Sequence, residues 1–156
     1  METLTSLFKN HILSIGLISF VLAQLAKTII VWVTKGRFVS ERLIGAGGMP
    51  SAHSALVCSV TVAIARVEGI KSSLFALSIF LAFIIMYDAM GVRRAAGEQA
   101  KAINKIVFHF NQRTPDEEDM EEPELKEYIG HTPLEVLGGA LFGILVSMIY
   151  FIIAKV

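Results

Sequence analysis

The chain predicts an all-α integral membrane bundle of about four transmembrane helices, with a polar loop between the third and the fourth. Three observations carry that expectation. Apolar residues make up 54% of 156 positions, mean hydropathy is +0.62, and the apolar residues gather into long runs separated by charged segments, a pattern foreign to ordinary soluble domains. Formal charge is zero, yet seven acidic residues fall between Asp116 and Glu124, so the rest of the chain is net basic.

The first run, Ile12 to Val33, meets the roughly 20 residues needed to cross a hydrocarbon core at about 1.5 Å each. No small-residue cleavage site follows it, and Gln24 and Lys27 lie within it, so a retained helix over about 10–34 is expected rather than a removable signal peptide. A second helix over about 50–66 is short, and a third over about 71–90 ends in charge. The fourth covers about 133–154. Between the last two lies a polar excursion, 91–130. Its first part, "GVRRAAGEQAKAINKIVFHFN", reads as a helix with a basic flank continuing the third helix into the interface or just beyond it. Its second part holds two prolines and the acidic cluster, which predicts a solvated loop over about 113–128. "DEEDMEEPE" lacks the glycine-turned ligand loop of a calcium site. With no internal repeat, residues 1–156 read as a single membrane-embedded domain. Cys58, the sole cysteine, sits in an apolar run as a packed thiol and excludes an internal disulfide.

Four spans place the first and third connections on one side of the bilayer. That side holds Lys35, Arg37, Arg42, Arg93, Arg94, Lys101, Lys105, Arg113 and Lys126, against Lys9, Arg66, Lys71 and Lys155 on the other. The positive-inside rule then makes the long loops cytoplasmic, in a bacterial plasma membrane.

The polar residues at the helix starts carry the candidate chemistry. In "GAGGMPSAHSAL" Pro50 suits a first helical turn, where its missing N–H costs nothing, and the glycines let backbone amides approach an anion. His53 falls in that turn; alone, it could equally be an interfacial histidine beside a glycine turn. In "IGHTPLEVLGGALFG" Thr132 reads as N-cap, Pro133 as the first helical residue and Glu135 as the third, a capping box. His131 stands four residues before Glu135. The carboxylate serves the cap, or it accepts a proton from His131 and so raises the nucleophilicity of the other ring nitrogen. Gly139 and Gly143 suit close helix packing. Arg93 and Arg94 end the third helix as headgroup anchors or as planar forks for phosphate. Asp88 lies deeper and wants a cation, Arg93 or Lys27. Lys35, Arg37 and Arg42 anchor the first helix at the surface or reach the same anion. Jointly these residues place two histidines, two helix starts and two cationic clusters on one membrane face, which outlines a phosphate site. Ser51 or Ser54 as nucleophile finds no support, because no strand–turn–helix elbow carries it.

Together, "GGMPSAHSA", "DAMGVRRAAGEQA" and "GHTPLEVLGGALFG" resemble the type-2 phosphatidic acid phosphatase superfamily, and most closely its small divergent bacterial and plant branch, related to acid phosphatases and vanadium-dependent haloperoxidases. The resemblance implies that His53, in the place of the histidine of a Pro-Ser-Gly-His segment, protonates the leaving group. It likewise implies that His131 is the nucleophile, with Glu135 as its orienting carboxylate. The superfamily's arginine just upstream of the nucleophile is replaced here by Leu125, so Arg93 or Arg94 is expected to fill that role. Lys35 and Arg42 match a first motif whose following proline is Leu43 here; Lys27 and Arg37 are rivals. Ala52 replaces the motif glycine, and Glu135 is one methylene longer than aspartate.

The expected activity is metal-independent hydrolysis of a lipid phosphate monoester through a phosphohistidine. Phosphatidylglycerophosphate is favoured, with phosphatidate or a polyprenyl phosphate or diphosphate next. His131, His53 and Glu135 are the catalytic candidates, and Arg93, Arg94, Lys35, Arg42, Lys27 and Ser51 the phosphate-binding ones. No cofactor, metal or nucleic-acid partner is expected. Four spans fall short of the six typical of the superfamily's lipid phosphatases, so either a minimal four-helix bundle suffices or a homo-oligomer completes the pocket. The alternative function is a non-catalytic lipid- or anion-binding membrane protein that keeps the phosphate site.

Overall fold

The computed structural model describes residues 9–36, 47–113, 125 and 130–155; of Lys35 and residues 111–113 it describes the backbone alone. Five helices follow in order: α1 His11–Lys35, α2 Ala52–Val67, α3 Ser73–Met90, α4 Val92–Arg113 and α5 Pro133–Ala154. The four expected apolar helices are therefore present within two residues of their predicted ends. The basic segment after the third is a helix in its own right. The acidic cluster lies outside the described residues.

The starts of α1, α2, α3 and α5 are each set by a short polar side chain. Asn10 accepts from Leu13 N at 3.1 Å to open α1, Ser51 caps α2, and Ser72 accepts from Phe75 N at 3.1 Å to open α3. α5 begins with the full capping box of Thr132 and Glu135, and Pro133 follows the cap as expected. α1 closes on Gly36 in the left-handed region. One expectation fails here. Pro50 does not occupy a first helical turn, because Ser51 takes the cap and the helix begins at Ala52; Pro50 joins Met49 through a cis peptide bond ahead of it.

α1, the α3–α4 run and α5 each hold a stretch long and apolar enough to span a bilayer, whereas α2 has 16 residues. At about 1.5 Å per residue α2 is shorter than a hydrocarbon core. Its place explains the shortfall. α2 is the hub, packed against α1, α3 and α5, and it is shielded from lipid by its neighbours. Its contact faces are accordingly made of small residues: Ala52, Ser54, Ala55, Ser59 and Ala63 are buried. Gly143 of α5 meets the backbone of Ala55 so closely that an added Cβ would come within 2.8 Å of the Ala55 Cα. Gly139 likewise meets the backbone of Ser51. The small-residue face of α5 is thus a packing surface. Buried hydroxyls stitch the same seams without leaving polar atoms to lipid: Ser19 donates to Ala55 O at 3.1 Å and Ser147 to Ser59 O at 3.3 Å. Outer faces carry Leu17, Val21, Ile29, Phe80, Phe83, Ile84, Leu141 and Ile152, all exposed, as a lipid-facing belt requires.

The chain runs up and down, so the ends of α1 and α3 share one end of the bundle with the starts of α2 and α5. Two backbone hydrogen bonds fix that end. Ser51 N donates to Glu135 O at 3.0 Å, and His131 N donates to Ala89 O at 3.0 Å. At the opposite end His11 Nδ1 lies 3.0 Å from the Tyr150 hydroxyl.

Candidate functional site

The end where four helix termini meet is also where the candidate residues converge. A cleft there is lined by His53 and His131 together with Arg93, Ile85, Ala89 and Gly130. The two histidines and Gly130 are positioned by helix starts. His53 is the second residue of α2 and rests edge-on against Phe20 of α1, ring centroids 6.1 Å apart. His131 precedes the α5 cap, held through its own N–H to Ala89. Gly130, at φ +111°, lets the chain pass so close to α4 that a Cβ would sit 2.6 Å from Arg94 Cα and 2.7 Å from Arg93 C; no L side chain fits there.

Glu135 fills both roles that the sequence left open. Its Oε2 accepts from Thr132 N at 2.9 Å, closing the capping box, and the same oxygen lies 3.3 Å from His131 Nδ1. Because Oε2 is an acceptor already fixed by a backbone donor, it suits an Nδ1–H and leaves Nε2 as the ring's basic nitrogen. His131 is 3% exposed. Burial, with the Lys27 ammonium nearby, holds its pKa below the ordinary imidazole value, and Glu135 partly offsets the shift. The ring is therefore neutral near pH 7, the state a nucleophilic imidazole needs.

Two cations act on the imidazoles. Lys27, in the C-terminal half of α1, is 1% exposed; its stem lies where a Cβ added at Gly48 would meet it at 3.5 Å, and its charge reaches both His53 and His131. Arg93 lines the cleft, with its Nε 2.6 Å from Asp88 Oδ2. Arg93 is thus the partner that Asp88 was expected to need. The structure separates the adjacent arginines: Arg93 lines the cleft, while Arg94 is exposed and meets this end through its backbone at Gly130.

Other candidates stand apart from the cleft lining. Ser51 is buried beneath it; its hydroxyl accepts from Ser54 Oγ at 3.0 Å, and its N–H is committed to Glu135 O. The start of α2 is therefore partly occupied by the protein's own acceptors rather than open as an amide cradle. Arg37 and Arg42 lie outside the described residues, as does the side chain of Lys35. Leu125, where the superfamily has arginine, pairs its backbone with the Asn104 side chain on α4 at 2.9 and 3.1 Å. Among the described residues, no three His, Cys, Asp or Glu side chains converge as a metal-binding group. Cys58 is partly buried, 3.9 Å from Met86 Sδ.

A four-helix-type membrane bundle that gathers two histidines, a carboxylate-paired ring and two cations at one end defines a class. Residues 8–146 match the family described as the divergent PAP2 family, and the chain belongs to it. Within the curated proteins it is 40% identical over 156 residues to a Bacillus subtilis (strain 168) protein named Uncharacterized membrane protein YuiD, covering 96% of each chain. No solved structure matches.

Proposed function

We propose that the protein is a membrane lipid phosphatase acting on a phosphate monoester through a phosphohistidine. The reading rests on one observation: both imidazoles and Arg93 line a single cleft, with Glu135 on the Nδ1 of His131. The acyl or prenyl chains of the substrate stay in the bilayer while the headgroup enters at the bundle end. The Arg93 fork and the Lys27 ammonium neutralise the phosphoryl oxygens. Nε2 of His131 attacks phosphorus, Glu135 stabilises the ring as it becomes cationic, and His53 protonates the departing alkoxide. Water then attacks the phosphohistidine with His53 as base, releasing phosphate and restoring both rings. Phosphatidylglycerophosphate is the favoured substrate, since its synthesis is cytoplasmic in bacteria and the excess of cations at that end of the bundle favours a cytoplasmic cleft; phosphatidate and polyprenyl phosphates follow.

The test is phosphate release from short-chain phosphatidylglycerophosphate, phosphatidate and polyprenyl phosphate by the full chain in detergent, with chelator present. Release abolished in His131→Ala and inhibited by vanadate supports the reading. Release that survives His131→Ala removes the nucleophile, and headgroup binding without release from any substrate establishes a binding protein instead.

A further inference from the structure

α4 is unlike the other helices: among the described helices it packs against α3 alone. Its two faces differ sharply. Val92, Ile103, Ile106 and Phe110 fall on one stripe at helical spacing, and all four are exposed. Arg94, Glu98, Lys101 and Lys105 recur at the same period on the opposite face. From Val92 to Arg113 there are five Lys or Arg residues against one acidic residue, Glu98, which pairs with Lys101 at 3.2 Å. Phe108 falls outside the stripe and meets His109 edge-on.

The position of α4 limits what can cover the stripe. α3, with 18 residues, spans about 27 Å, nearly a whole hydrocarbon core, before Gly91 interrupts the helical geometry. Gly91 sits at φ −98° and ψ −90°, outside helical geometry, so α3 and α4 are separate helices that meet near the level of the headgroups. A further span is excluded by the charges on the polar face. Projection into water would leave Ile103 and Ile106, both large, apolar and exposed, in contact with solvent. We infer that α4 lies along the bilayer surface, its Ile103–Ile106–Phe110 stripe in the acyl boundary and its basic face toward anionic headgroups. Two features of the chain point to lipid as the occupant. The stripe continues directly from the lipid-facing surface of α3, which carries Phe80, Phe83, Ile84 and Tyr87 exposed, and the excess of cations complements an anionic leaflet. This inference does not depend on the phosphatase reading.

The experiment uses the full chain with Cys58→Ser, carrying Ile106→Cys or Lys105→Cys labelled with an environment-sensitive fluorophore. Each is reconstituted into vesicles of phosphatidylcholine alone or of phosphatidylcholine with phosphatidylglycerol, without substrate. The expected result is blue-shifted emission from position 106, quenched by nitroxide-bearing acyl chains, while position 105 stays open to aqueous acrylamide. The lipid quenching at 106 is stronger with phosphatidylglycerol and loses that preference in Lys101→Glu/Arg94→Glu. Equal acrylamide access at both positions overturns the proposal. Protection at 106 from acrylamide and nitroxide alike also overturns it, because a second copy of the chain then covers the stripe. Equal quenching in the two vesicle types refutes the anionic preference.

Discussion

Replacing Glu135 by glutamine separates the two roles of one oxygen. Thr132 N is an obligate donor 2.9 Å from Oε2, so a glutamine here must turn its carbonyl oxygen, not its NH₂, to that position. Glutamine also serves at the third position of a capping box, so α5 keeps its start. The same oxygen then still accepts from His131 Nδ1, 3.3 Å away, and the reactive tautomer survives. What is lost is charge. A hydrogen bond to a charged group contributes about 1.5–3 kcal/mol and a neutral one about 0.5–1.5, so the ring loses about 1–1.5 kcal/mol of support as it becomes cationic. At 1.36 kcal/mol per decade, kcat/KM for lipid phosphate falls roughly 5- to 15-fold. Had the amide turned its NH₂ to the ring, the wrong tautomer would cost about 10⁴-fold. Glu135→Ala removes both acceptor roles and falls far below the glutamine variant. The assay is phosphate release in detergent, with thermal unfolding as a control for the cap. A loss of 10³-fold or more in Glu135→Gln, at unchanged thermal stability, refutes the shared-oxygen argument.

Further outcomes follow from the same contacts. Gly143→Ala drives a Cβ into the Ala55 backbone, where nothing flexible can yield; overpacking of this kind costs about 1–3 kcal/mol, read as a lowered Tm in detergent. Because burial and Lys27 hold His131 below the ordinary imidazole pKa near 6.5, the ring stays neutral as pH falls through that value. The acid limb of single-turnover phosphoryl transfer therefore lies below pH 6.5, and it moves up toward that value in Lys27→Met. The same depressed pKa means that stability is fully present above pH 6.5 and declines as pH falls below it, because the unfolded chain takes up the proton first. Asp88→Asn frees Arg93 from an ion pair whose partners are both well exposed; such pairs contribute about 0.2–1 kcal/mol, so KM rises at most about fivefold with kcat nearly unchanged, measured by initial rates.

How much the sequence revealed depends on how local each feature is. The start of α5 was legible because Thr132, Pro133 and Glu135 act within one turn. The His131–Glu135 pair was legible for the same reason, since His131 adjoins the cap to which Glu135 reaches back. Pro50 misled because proline serves a first turn and a turn before the cap equally well, and the neighbouring Ser51 was the stronger cap. The choice between Arg93 and Arg94 was beyond reach: adjacent residues point about 100° apart, and which one meets the cleft follows from the break at Gly91 and from Gly130 lying against them. Lys27 announced itself as a charge within an apolar run. Its closeness to both imidazoles depends on how α1 lies beside α2, which no local pattern encodes. The links Ser51–Glu135 and His131–Ala89 are long-range and equally invisible in the sequence.

The seam between α2 and α5 has a mechanical consequence. The cleft offers about 10 Å³, room for roughly one water. Two of its walls are riveted: Gly139 and Gly143 bring α5 against the backbone of α2, and the Ser51–Glu135 bond pins their tips. Those walls carry the two imidazoles, whose spacing is thereby preserved whatever enters. Any adjustment of the cleft is left to its other wall, where Ile85, Ala89 and Arg93 lie on either side of the break at Gly91.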